Sequence, residues 1–520
     1  MRAGALVITG GTVVDGTGAP GRRADVAIDG GRVVAIAESI SGERRLDARG
    51  MIVAPGFIDI HTHDDFTLPL RPEAEARVRQ GTTTTVTGNC GFSTFPLDES
   101  EAAREHGAFF EPDLEERWSD LPGYARELAA LRPAVNVAPL VGFGAVRLAV
   151  MGEVEREPTD AELGRMRGLV GDAMNAGAFG GSSGLVYSPG CFSTAAETVE
   201  LTRAVAGAGG FYATHMRDEA ARVRESVQES IEVARETGCP VHISHHKAIG
   251  RRNWGVVTET LGMIDLAVGE GLDVSLDAYP YTAGSSTLLS LLPASQQDGG
   301  IEAIRERIGH PEGRAAAAAA VREEAVFALA DVVLALVPSR PGLEGSRLVD
   351  VARASELEPE ELVLDLIDCD GEKVVMVAFG MDQRDVDEVL AHPRCMVGSD
   401  GWVQAIDQPG SPHPRNFSTT ARFLVSSSRE RGLLDLPTAV RKLTGLPAAR
   451  LRLDDRGTLE PGQVADVTVF DFERMEDLAD FTSPAVHPTG IEHVLVGGEP
   501  VLEDGEPTGA RPGSVLARRV

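Results

Sequence analysis

The chain has 520 residues, 42% hydrophobic and 25% charged, which is enough for a large core and shows no bias toward disorder. A formal net charge of −30 and a pI near 4.8 exclude the surplus of Lys and Arg that nucleic acid requires, and equally exclude docking on anionic membranes. An anionic small molecule would have to be met by a locally basic site.

The stretch Met1 to Ile8 lacks the apolar core of a signal peptide, and no segment approaches the roughly 20 apolar residues that span a bilayer. Five scattered cysteines (Cys90, Cys191, Cys239, Cys369 and Cys395) do not make a disulfide framework, so a cytoplasmic protein is the expectation. Residues 1–54 read as short strands without helices: Leu6-Val7-Ile8, Thr12-Val13-Val14, and Asp25 to Ile28 turning through Asp29-Gly30-Gly31 into Arg32 to Ile36, a hairpin signal.

From Gly56 the rhythm becomes strand, turn, helix. Phe57 to Asp65 reads as a buried strand ending in polar residues, with Asp59, His61 and His63 on one face because strand side chains alternate. Further strands are expected at Thr82–Thr87, Val135–Val141, Ala178–Leu185, Gly210–His215, Val241–His245, Leu272–Asp277 and Cys395–Asp400. Helices are expected at 160–176 and from Glu219 to Thr237. Eight strands with intervening helices predict an α/β fold, a (β/α)8 TIM-like barrel over 55–443. A long segment before the last strand, about 285–375, reads as an inserted subdomain. After Thr444 short strands return at Ala465–Phe470 and His493–Gly498, so 1–54 and 444–520 are expected to build one small β-sandwich.

Active-site residues of such barrels sit at the C-terminal ends of the strands. Those ends carry His61, His63, Cys90, His215, His245 and Asp400, and only 12 histidines exist in the whole chain. Imidazole, thiolate and carboxylate donors together suit zinc.

Nearly end to end, the sequence resembles the amidohydrolase superfamily and, within it, the D-aminoacylases (N-acyl-D-amino-acid deacylases). The resemblance rests on Val14-Asp15-Gly16-Thr17-Gly18, Gly56 to Asp65, Gly88-Asn89-Cys90-Gly91-Phe92-Ser93, Ser183 to Gly190, Tyr212 to Glu219, Ile243 to Lys247, Asp277 to Tyr281, Gly398 to Gly401 and His413-Pro414-Arg415. Cys90 at the second strand is its most specific part. The resemblance implies a tight zinc on Cys90, His215 and His245, and a second, weaker position using His61, His63 and Asp400, with Cys90 reaching both. It assigns the I-S-H-x-K histidine to His245; strand alternation then points His246 away, and His242, of the same parity as His246, reads as structural. Asp400 would be general base and then acid in hydrolysing the amide of a small-molecule N-acyl-D-amino acid.

Lys247, scarce as a lysine and just beyond a metal ligand, and Arg415, which matches the H-P-R element, are candidates for the substrate carboxylate. Ser285 and Tyr279 join them by resemblance, with Tyr281 the alternative to Tyr279. Arg217 and Arg422 read as ordinary ion pairs, and Asp64 and Asp65 as orienting residues or caps. The chain departs from the family where Gly142-Phe143-Gly144 replaces G-H-G and where the 400–415 loop is longer. A hydantoinase or dihydroorotase would require a carboxylated lysine on the fourth strand, and Ala178 to Gly190 holds no lysine. A non-catalytic scaffold would typically have lost metal ligands, and here the set is complete.

Overall fold

In the computed structural model, which describes residues 6–97, 106–115 and 117–519, the expected N-terminal hairpin forms. Arg22–Asp29 and Arg32–Ala37 pair antiparallel, and Gly30 and Gly31 both take positive φ, as a two-residue turn between right-twisted strands requires. Leu6–Val13 runs antiparallel to the first of them. The chain ends meet where Ile52–Pro55 lies antiparallel to Val467–Phe470, with Val53 opposite Val469. Ile491–Val496 and Glu499–Glu503 extend this into one nine-stranded sheet with its own core of Ile8, Val26, Val53, Val467 and Leu495.

Eight parallel strands follow: β1 (Phe57–Asp59), β2 (Thr82–Thr87), β3 (Asn136–Gly142), β4 (Gly180–Gly184), β5 (Phe211–His215), β6 (Val241–Ile243), β7 (Val274–Ala278) and β8 (Cys395–Val397). They hydrogen-bond in chain order from β1 to β8. The seam is drawn together at the rim, where the Asp400 amide donates to His61 O (2.8 Å) and the His63 amide to Gly401 O (2.9 Å). The residues that close the barrel are those that the sequence marks for chemistry.

Helices pack outside the strands. Asp160–Asn175 opens with a capping box between Thr159 and Glu162. Val223–Thr237 buries Val223, Val227, Ile231 and Ala234, one stripe at helical spacing. That second helix starts four residues later than its periodicity suggests, since Glu219 lies in the preceding loop.

Between β7 and β8 the chain builds an antiparallel sheet of Ala283–Thr287, Val332–Leu336 and Val375–Phe379. Four helices, including the alanine-rich Pro311–Glu324, cover it over a separate core of Leu288, Leu334, Leu362, Ile367 and Met376. Past residue 444 the chain first forms the helix Gly445–Leu451, whose Ala448 and Leu451 pack with Ile58, Ile60 and Met396 beneath the barrel. Among the described residues no helix is long and apolar enough to cross a membrane.

Candidate metal centre

Three strand ends turn sharply to present their polar residue. Cys90, His245 and Asp400 have φ of 54°, 35° and 53°, the left-handed region that non-glycine residues rarely enter. Glycine makes room for this. A Cβ on Gly184 of β4 would stand 2.0 Å from the Cys90 carbonyl oxygen, so only glycine lets that backbone approach.

The turns converge on one point. Cys90 Sγ lies 3.3 Å from His61 Nε2 and 3.4 Å from His245 Nε2. Asp400 Oδ1 lies 3.3 Å from His61 Nε2 and 3.2 Å from His63 Nε2. Donor atoms of His61, Cys90, His245 and Asp400 all fall within 4.8 Å of one another, and those of His215, Glu219 and His245 form a second such group. The close group joins His61, Asp400 and the shared Cys90 of the weaker implied set with His245 of the tighter one, and His215 lies on the other side of His245, their ring centroids 4.3 Å apart.

The nitrogens facing the cluster are fixed from behind. His61 Nδ1 lies 3.2 Å from Asp277 Oδ2, and His245 Nδ1 lies 3.0 Å from Glu219 Oε1. With each Nδ1 held against a carboxylate, each Nε2 is turned toward the cluster. Asp277 also accepts from the His245 amide (2.9 Å) and meets His242 Nε2 at 2.8 Å. His242 is thus structural, lying under the cluster with its Nδ1 on Ser275 Oγ, and His246 points outward to Thr260. Asp64 takes the buried Arg77 guanidinium through both oxygens, so it orients the rim without capping a helix. Asp65 is buried, which pushes its carboxyl up to about 8.

Burial pushes the Cys90 thiol up to about 11. It drives His215 and His245 well below the usual imidazole range, helped for His245 by the Lys247 ammonium. For His61 burial acts the same way but is outweighed by Asp277, Cys90 and Asp400, which raise it. Asp400 is the reverse: burial would raise it, yet Arg415, His245 and His61 hold it well below the carboxylate range. The donor set fits a metal ion. Thiol, imidazoles and carboxylate crowd one buried spot, and His63 Nδ1 and His215 Nδ1 are buried there without a hydrogen-bond partner.

A cleft of about 650 Å³ opens beside the cluster, reached by His215, His245 and Asp400. Lys247, Tyr279 and Ser285 line it, and Ser285 Oγ is buried with no partner. Lys247 Nζ donates to both Glu219 oxygens (2.7 and 2.8 Å). Arg415 stands behind the cleft, its Nη1 2.8 Å from Asp400 Oδ2 and its Nη2 donating to Ser285 O at 3.2 Å. Tyr279 lies between the two cations, and Tyr281 packs instead under Arg422 and against His413. Arg217 and Arg422 form ion pairs with Glu229 and Asp477. Glu219 and Asp277 were not singled out from sequence. Their signal was present, an acid in each of the segments that carry the resemblance.

The family model described as "Amidohydrolase family" matches residues 44–502, so the chain belongs to that family of hydrolase barrels. Within it the likeness is to deacylases. A D-aminoacylase of Alcaligenes xylosoxydans xylosoxydans is 37% identical over 99% of this chain and 97% of its own. An N-acyl-D-aspartate deacylase from the same organism is 39% identical, covering 98% and 95%. The crystal structure of N-acyl-D-glutamate deacylase from Bordetella bronchiseptica, complexed with zinc and a phosphonate that mimics the tetrahedral intermediate, superposes with a TM-score of 0.86 at 36% identity and 99% coverage of both chains.

Proposed function

We propose that this chain is a zinc-dependent deacylase that hydrolyses N-acyl-D-amino acids to a D-amino acid and a carboxylate. The observation that carries the reading is Cys90 Sγ standing between His61 and His245, with Asp400 alongside, at the mouth of a cleft lined by a lysine. Cys90, His215 and His245 would hold the tighter zinc, and His61, His63 and Asp400 a second, weaker one. A bound zinc supplies a Lewis acid that polarises the scissile carbonyl and lowers the pKa of water.

The chain's own residues do the rest. Asp400, kept ionised by Arg415, takes the proton of the attacking water and passes it to the leaving amine nitrogen. Lys247, Tyr279 and Ser285 face the cleft and are suited to the substrate carboxylate, with Arg415 behind them. Cyclic-amide chemistry is disfavoured by β4, whose Gly180 to Gly184 offers no lysine to bridge metals.

The side-chain end of the cleft is formed by Ile249 and by Val326, Phe327, Met376 and Ala378 of the inserted segment. Among the described lining residues Lys247 is the sole cation, and it is held by Glu219. We infer that an apolar substrate side chain is preferred over aspartate or glutamate. The five cysteines are unpaired, which supports a reducing, cytoplasmic setting. The test is a panel of N-acetyl-D- and L-amino acids, with hydantoin and dihydroorotate, on zinc-reconstituted protein. Turnover of N-acetyl-D-methionine or -leucine is expected, and hydrolysis of the cyclic amides alone would overturn the reading.

A further inference from the structure

Four arginines, three of them without an ion pair among the described residues, gather at the other mouth of the barrel. A cavity of about 200 Å³ opens among the N-terminal ends of β5 to β8 and is lined by Arg394, Arg450, Arg452 and Arg518, with Asp273 beside them. These come from three places in the sequence: the approach to β8, the end of the helix Gly445–Leu451, and the C-terminal segment that crosses the barrel base. Arg450 pairs with Asp273 (2.8 Å), its side chain is only 6% exposed, and its Nε is buried without a partner. Arg394, Arg452 and Arg518 have no ion pair among the described residues. Arg452 Nη1 and Arg518 Nη1 each lie 3.7 Å from the point where a side chain on Gly209 would begin.

Like charges gathered this way repel, and a chain with net charge −30 has acids to spare for pairing them. Here backbone carbonyls hold the guanidiniums instead. Arg394 donates to Val274 O (3.3 Å), Arg452 to Gly209 O (3.0 Å), and Arg518 to Ala178 O (3.2 Å). Each anchor holds a guanidinium at the cavity without neutralising it, so the remaining N–H groups are available to an acceptor with several oxygens.

We propose that this cavity is a binding site for a phosphate group, either inorganic phosphate or the phosphate of a small metabolite, separate from the deacylation site. It does not depend on the proposed activity. Arg452 and Arg518 provide the principal contacts, Arg394 neutralises from the rim, and the buried Arg450 lies beneath them, held by Asp273.

The experiment is a 31P NMR and calorimetric titration of the zinc-loaded protein with inorganic phosphate and, separately, 3-phosphoglycerate, at constant ionic strength set with chloride. Saturable binding is expected, weakened at least about tenfold by R452Q/R518Q, whose deacylation remains at the wild-type level. Tighter binding of 3-phosphoglycerate than of phosphate identifies a metabolite as the source, and the reverse identifies the free ion. The metal cluster also attracts phosphate, so the variant assigns the site: binding that survives R452Q/R518Q, or none up to about 10 mM, overturns the proposal. Should the double variant fail to fold, R394Q at the half-buried rim gives the same decision, with unchanged affinity counting against the site.

Discussion

The thiol at the centre of the cluster makes metal affinity depend steeply on pH. Burial pushes Cys90 up to about 11, so the metal-free protein carries a proton there at neutral pH. Only the thiolate is a ligand, and binding must expel that proton. Four pH units separate neutrality from the thiol's range, so at about 1.4 kcal/mol per unit the displacement takes roughly 5 kcal/mol from the intrinsic affinity. The zinc association constant therefore climbs about tenfold for each unit of rising pH and is lost at the same rate as pH falls. His215 and His245, held well below the usual imidazole range, are already neutral above pH 7 and add no slope. Competition against a chromophoric chelator at about pH 7, 8 and 9 measures the slope, and calorimetry in buffers of different ionisation enthalpy counts the protons. Cys90→Ser should bind zinc weakly with a flat profile. A flat profile in the unaltered protein would refute the reasoning.

Four further outcomes follow from the same geometry. Asp400→Asn should lower kcat by about a thousandfold while the first zinc equivalent stays bound, and near-normal turnover would remove Asp400 as the proton carrier. Glu219→Gln takes the carboxylate from behind both His245 and Lys247, so zinc affinity should fall roughly 10- to 100-fold in the chelator assay, with unchanged affinity counting against that support. Gly184→Ala, whose new methyl would overlap the Cys90 carbonyl, should destabilise by about 3 kcal/mol or more in denaturant unfolding and loosen zinc with it. Val326→Arg puts a cation on the exposed part of the apolar wall of the cleft and should raise kcat/KM for N-acetyl-D-glutamate relative to N-acetyl-D-methionine; an unmoved ratio would show that the inserted segment does not select the side chain.

The barrel was legible because its strands are buried on both faces and read as short apolar or β-branched runs bounded by glycine, such as Thr82–Thr87 before Gly88. The fourth was the least clear, since Gly180 to Gly184 carries no large side chain; its glycines serve the close approach to Cys90 and Phe211. Glu219 was hidden by the helical period that follows it. Its segment continues the stripe of Val223–Thr237, and only three bases converging on its carboxylate reveal that it has left the helix.

The histidines of β6 show where a period-two reading reaches its limit. His242 and His246 share the same parity, yet His242 meets Asp277 inside the barrel and His246 meets Thr260 on an outer helix. The strand stops at Ile243, and the left-handed turn at His245 rotates everything beyond it. The same turn at Cys90 and at Asp400 is what brings donors from strands β2, β6 and β8 to the His61 ring. Residue types at strand ends therefore suffice to nominate candidate ligands. Which of them stand together is set by three strained backbone turns, and alternation along a strand contains no information about those. That is why His245, implied for the tighter position, stands in the close group with His61, Cys90 and Asp400, while His215 groups with Glu219 on the other side of it.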